Sequence, residues 1–161
     1  MKTRKEKVEA IIEILKEAKD IRTECTSNLI TVYAHMIKCV YQPERHTDSW
    51  DKSIIQSRDN ILVHMDKNLY SHLESKMNDV IKKSVKEALS EMNQSIKAKS
   101  DKIKIPESEK DEFFTEWDLD KVLSDEFLKD FFDSIPESNN IYYRRVYIKN
   151  IEEKRDCGQS K

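Results

Sequence analysis

Apolar residues recur in steps of three and four from Val8 through Ile11, Ile12, Leu15, Ala18, Ile21, Cys25, Leu29, Val32, Met36, Ile37 and Val40. That spacing draws one stripe along a single long α-helix. A helix of this length either bends or packs along its whole extent against partners. Pro43 lacks a backbone donor and pushes Gln42 out of the helical region, so the first helix is expected to end near Tyr41. Thr47, Asp48 and Ser49 then offer candidate N-caps for a second helix carrying Trp50, Ile54, Arg58, Ile61, Leu62 and Met65. The pattern fades at Asp66 to Asn68, another cap signal. It resumes at Leu69, Leu73, Met77, Val80, Ile81, Val85, Ala88, Leu89, Met92 and Ile96 as a third helix. Three long amphipathic helices with short connections predict an all-α antiparallel bundle.

Past Ile96 the pattern changes. The stretch KAKSDKIKIPESEKDE is polar, charged and broken by Pro106, and it reads as a linker or exposed loop. All five phenylalanines follow between Phe113 and Phe132, together with Trp117 and many acidic residues. One reading is a short acidic helix from about Asp118 to Phe132 that lays Leu119, Val122, Leu123, Phe127 and Phe131 on the bundle, with Asp118 as its cap. The other is a docking segment that orders only on a partner. The tail NNIYYRRVYIKNIEEKR is strand-like, yet a lone strand has nothing to pair with in a helical domain. It is expected to extend as an arm or to meet a partner's edge. The organisation expected is a bundle domain over residues 1–132 and a partner-ordered tail over 133–161, with no internal repeat.

Composition agrees with the pattern. A single glycine and three prolines among 161 residues suit helices and leave no supply for the tight turns of a sheet. Lys and Arg number 29 against 31 Asp and Glu, so no global charge favours nucleic acid or an anionic membrane. The basic, tyrosine-containing run with Tyr142, Tyr143, Arg144, Arg145 and Tyr147 could stack bases and neutralise phosphates, but nucleic acid is the less favoured partner. Cys25, Cys39 and Cys157 lack the spacing of a zinc motif or a disulfide framework, which suggests reduced thiols and a cytoplasmic location. No apolar run reaches membrane-spanning length, and no membrane partner is expected.

Candidate chemistry begins with the histidines, which are His35, His46, His64 and His72. The segment RDNILVH, from Arg58 to His64, resembles the ribonuclease motif of HEPN domains, whose Arg and His converge at a dimer cleft in acid/base and electrostatic roles. On a straight helix, residues six apart diverge by about 120°, so convergence would need a kink or a helix end. His35 and Cys39 lie one turn apart, but two ligands do not make a metal site, and neither a metal nor another cofactor is expected. His72 with Lys76 and Glu9 with Glu13 are ordinary surface pairs. The only glycine is Gly158, which rules out a glycine-rich phosphate loop.

The corner between the first two helices is the most distinctive stretch. HMIKCVYQPERHTDSWDKSIIQSRDNI resembles the signature region of the bacterial Domain of Unknown Function 29 family through His35, Lys38, Tyr41, Gln42, Pro43, Glu44, Ser49, Trp50, Ile54, Gln56 and Arg58. WDLDKVLSDEFL, from Trp117 to Leu128, is similar to that family's C-terminal segment. The resemblance spans roughly residues 8–132. It implies a helical bundle of unknown activity and supplies no catalytic residues, and the chain is read as a bacterial or mobile-element protein. The function expected is a non-enzymatic module that binds a protein partner or a second copy of itself. The alternative is a HEPN-like ribonuclease toxin using Arg58 and His64. Partner contacts are expected at Glu44, Arg45, Phe113, Phe114, Trp117, Tyr143, Arg144 and Arg145. The corner itself reads first as a structural bend closed by Tyr41 and Trp50.

Overall fold

A computed structural model describes residues 1–135 and 142–159, and the fold is all-α, with no strand among the described residues. Helix α1 runs from Arg4 to Tyr41. Thr3 and Glu6 form a capping box at its start, each side chain accepting from the other's backbone N–H at 3.2 and 3.1 Å. It ends where Pro43 requires, with the Gln42 N–H donating to the Lys38 carbonyl at 2.8 Å. Pro43–Arg45 is one 3-10 turn, and α2 follows from Asp48 to Val63 with Thr47 extended at the N-cap.

The expected third helix is two. Helix α3 (Lys67–Ser75) is capped by the Asp66 carboxylate on the Leu69 N–H at 2.7 Å, and α4 (Met77–Asn93) begins after Lys76. The cause of the break is local. The Ser75 hydroxyl donates to the His72 carbonyl at 2.6 Å, the group that the Lys76 N–H would use in a continuing α-helix. The Lys76 N–H turns to the Leu73 carbonyl instead, at 3.0 Å, and the apolar period carries on across the joint.

The stretch expected to be a linker is anchored. Both polar atoms of the Asn93 side chain pair with the Ile103 backbone, Ile105 is buried, and Glu107–Glu116 forms α5. The single acidic helix expected over Asp118 to Phe132 is α6 (Leu119–Val122) and α7 (Asp125–Ser134), capped by Asp118 and Ser124 respectively. The tail corrects a further expectation. Instead of extending, Tyr142–Gln159 forms α8, which packs on α2 and α7. Tyr147, Ile148 and Ile151 fall in helical steps and face the bundle, so the chain satisfies its own backbone where a strand would have found no edge.

Helix α1 is the axis of the domain, contacting α2, α3 and α4. Only its second half is enclosed. Cys25, Leu29, Val32, Tyr33, Met36, Ile37 and Cys39 are fully buried, whereas Arg4 to Asp20 is exposed apart from half-buried Ala10. Those seventeen residues are about 25 Å of helix at 1.5 Å per residue. The aromatic residues close the other end of the core: Trp117 stacks on Phe113 at 4.9 Å and meets Phe131 edge-on at 5.6 Å. The Tyr33 hydroxyl donates to the Trp117 carbonyl.

Candidate functional site

Three places in the fold combine polar chemistry with a position that local structure explains. The first is the corner between α1 and α2. Because Pro43 stops α1 and the 3-10 turn reverses the chain, Cys39 in the last turn of α1, His46 after the turn and Asp51 in the first turn of α2 meet in the interior. Their donor atoms lie within 4.8 Å of one another and all three residues are buried. His46 Nε2 is 2.6 Å from Asp51 Oδ1, with both side chains wholly removed from solvent. Trp50 stacks on the His46 ring at 6.0 Å, and Lys38 reaches over the indole at 4.7 Å while pairing with Glu91 at 2.6 Å. Tyr41 meets Phe113 edge-on at 6.1 Å, so both aromatic residues of the corner pack the bend.

His35 does not join Cys39. Its Nδ1 lies 2.9 Å from the Thr31 carbonyl one turn back along α1. Burial holds the His35 pKa below the usual histidine value; the Thr31 carbonyl acts against this, Lys38 lowers it further and Glu91 raises it.

The second place is Arg58. The Arg58 side chain is 2% exposed, and apart from Asp59, 3.8 Å from Nη1, its guanidinium faces the C-terminal segment. Nε donates to the Val122 carbonyl at 3.0 Å and Nη2 to the Leu123 carbonyl at 2.8 Å, while Nη2 also pairs with Asp125 and Nη1 donates to the Tyr147 hydroxyl at 3.0 Å. A planar fork with fixed donor directions suits this task in a way that a lysine does not. Burial raises the Tyr147 pKa against the opposing pull of Arg58, with Asp125 adding to the rise. Arg58 therefore fastens α2 to the α6–α7 connection and to α8. His64, by contrast, is exposed just past the end of α2. The Arg58 fork is directed at these carbonyls and at Asp125, not at a cleft.

The third place is the uncovered half of α1. Val8, Ile11, Ile12, Ile14 and Leu15 are 47%, 56%, 59%, 64% and 64% exposed. These residues continue the stripe that Cys25, Leu29, Val32 and Met36 bury farther along the same helix. The charges of this half are sorted. At about 100° per residue, Arg4, Lys5, Lys7, Lys19 and Arg22 all lie within about 120° of the stripe's centre. Glu6, Glu9, Glu13, Glu17, Asp20 and Glu24 lie beyond that, on the back, and Lys16 lies at the edge between the two faces.

The other residues expected to contact partners are dispersed. Glu44 and Arg45 are exposed on the 3-10 turn, where Arg45 donates to the Ser95 hydroxyl at 3.2 Å. Phe113 and Trp117 stand in the core, each 7% exposed. Arg145 is exposed on α8. Phe114, Tyr143 and Arg144 have side chains outside the described residues. Sequence reasoning overlooked His46, which lies outside the helices, and Asp51, a charged residue three positions before Ile54 on the buried stripe of α2. The available signal was their closeness to Cys39 across a proline-forced reversal.

No helix among the described residues is long and apolar enough to cross a membrane. The fold and these sites define a small all-helical protein whose conspicuous surface feature is one half-covered helix. The chain belongs to the family described as Domain of unknown function DUF29, whose model matches residues 6–128. That match takes in the corner, Arg58 and the segment that Arg58 holds. No curated protein matches the chain, and no solved structure does.

Proposed function

We propose that the protein is a non-enzymatic interaction module that captures a partner helix along the N-terminal half of α1. The observation that carries this reading is the uncovered apolar stripe of Val8, Ile11, Ile12, Ile14 and Leu15. Its continuation inside the bundle is already packed by α2 and α4, so a further helix would extend the same packing toward the N-terminus. Charge selects the occupant. A second copy, parallel or antiparallel, would set the basic ends of two such stripes against each other, since Arg4 and Lys7 stand before the stripe and Lys19 and Arg22 after it. A helix whose own apolar stripe carries Asp and Glu at its two ends meets Arg4, Lys5, Lys7, Lys19 and Arg22 with opposite charge. The ribonuclease alternative lacks comparable support, because the Arg58 guanidinium is committed to Val122, Leu123, Asp125 and Tyr147.

The test uses the full chain and two synthetic amphipathic helices with identical leucine stripes, one with glutamates at both ends of the stripe and one with lysines there. Binding is expected for the glutamate peptide, weakening as salt rises. The double substitution Ile11→Asp with Leu15→Asp is expected to weaken it at least about 10-fold, since each buried aliphatic side chain contributes about 1.5–3 kcal/mol. Both positions are exposed, so unfolding should change by no more than about 0.5 kcal/mol. Failure to bind the glutamate peptide, or equal binding of both peptides, would refute the assignment. Dimerisation of the chain abolished by the same double substitution would make a second copy the occupant, and binding to phosphatidylserine vesicles alone would make it a lipid surface.

A further inference from the structure

We propose that Cys39, His46 and Asp51 form a site for one divalent zinc ion at the corner between α1 and α2. A thiolate, an imidazole and a carboxylate are three of the donors that zinc accepts, and here their atoms gather within 4.8 Å, all three residues being buried. All three come from one short stretch, with six residues between Cys39 and His46 and four between His46 and Asp51. The chain reversal at Pro43 thus builds the site locally.

Charge explains why an ion suits this place. Zinc bound by one thiolate, one carboxylate and one neutral imidazole sums to zero, the balance that a site without solvent demands. The geometry needs adjustment: donor atoms up to 4.8 Å apart would close to about 3.5 Å around a tetrahedral zinc. His46 Nε2 and Asp51 Oδ1 are 2.6 Å apart, and two tetrahedral zinc bonds would spread such a pair to about 3.3 Å. Trp50 stacked on His46 holds the ring in plane, and Lys38 over Trp50 braces the indole from α1. Three protein ligands leave a fourth place for an enclosed water or a corner carbonyl. The ion would tie the end of α1 to the start of α2, the joint on which the whole antiparallel arrangement turns.

The experiment uses the full chain, stripped with a chelator and titrated with zinc and with cobalt. One zinc per chain is expected by native mass spectrometry, with a rise in the thermal midpoint that grows with zinc concentration. Cobalt should give the near-ultraviolet band of a thiolate-to-metal transition. Cys39→Ser should abolish that band, and His46→Gln and Asp51→Asn should each weaken zinc binding at least 10-fold. Cys25→Ala and Cys157→Ala should leave the band in place. Circular dichroism checks that each variant is folded, and Asp51→Asn, close to isosteric, serves if Cys39→Ser does not fold. A wild-type chain that retains no zinc at micromolar concentrations overturns the proposal, and so does a cobalt band that survives Cys39→Ser.

Discussion

Replacing Arg58 by alanine removes a side chain that is 2% exposed and that joins α2 to three other elements. The loss can be estimated from what stays behind. The Val122 and Leu123 carbonyls, which accept at 3.0 and 2.8 Å, lose their donor at about 1–3 kcal/mol each if they remain buried. Asp125 contributes less, because its side chain is 46% exposed and water can resolvate it. Tyr147 keeps a second contact, its hydroxyl lying 3.2 Å from Asp125. The sum is about 3–5 kcal/mol, the usual cost of breaking a buried charged network by removing one member. Urea unfolding followed by circular dichroism reads this directly. With a slope of about 2 kcal/mol per molar, the midpoint should fall by about 2 M while the slope stays unchanged. Arg58→Lys, which keeps the charge but loses the fork, should recover less than half of the difference. A shift smaller than about 0.5 M for Arg58→Ala would refute the clamp, since at that slope it corresponds to less than about 1 kcal/mol. A catalytic arginine would behave in the opposite way, its loss abolishing an activity and sparing stability.

Two pH effects follow from the same packing. Burial lowers the His35 pKa, with Lys38 adding to the fall and the Thr31 carbonyl and Glu91 opposing it, so the unfolded chain binds the proton more readily than the folded one. The stability it supports is complete above the ordinary histidine pKa of about 6.5 and is lost as pH falls toward the folded value. Comparing urea midpoints at pH 7.5 and 5, His35→Gln should flatten that slope, and an unchanged slope would exclude His35 as its source. Tyr33 and Tyr147 behave in the reverse sense, because burial raises both phenols; Asp118 reinforces it at Tyr33, and Asp125 reinforces it at Tyr147 against Arg58. Their contribution is complete below pH of about 10 and is lost as pH rises beyond it. Tyr33→Phe should move alkaline unfolding upward and cost about 1 kcal/mol at neutral pH, because the Trp117 carbonyl loses its donor. Alkaline unfolding unmoved by this substitution would show that Tyr33 does not govern it.

The sequence by itself determined what depends on neighbours along the chain. Periodicity alone marks α1, α2 and the apolar faces of α3 and α4, since a residue's side of a helix follows from its number. Pro43 as a stop and the Asp66 to Asn68 cap signal were legible for the same reason: one side chain acts on the backbone beside it. The joint at Ser75 and Lys76 was not legible, because a serine hydroxyl taking a nearby carbonyl leaves the apolar period undisturbed. The tail was misread because β-branched and tyrosine residues favour strands only where an edge exists, and no strand is formed among the described residues.

Tertiary structure alone decided the partners. Arg58 looked like half of a catalytic motif with His64, six residues away, until folding brought Val122 and Leu123, 64 and 65 residues away, against its guanidinium. Cys39 looked paired with His35 across one helical turn, but reversal at Pro43 brought His46 and Asp51 to it instead. The stripe on α1 was visible from Val8 to Val40, yet its pattern could not say that cover begins only near Ile21 and Cys25. Periodicity records which side of a helix is apolar. What covers that side is a matter of contacts between residues far apart in the chain, and these exist only once the bundle has closed.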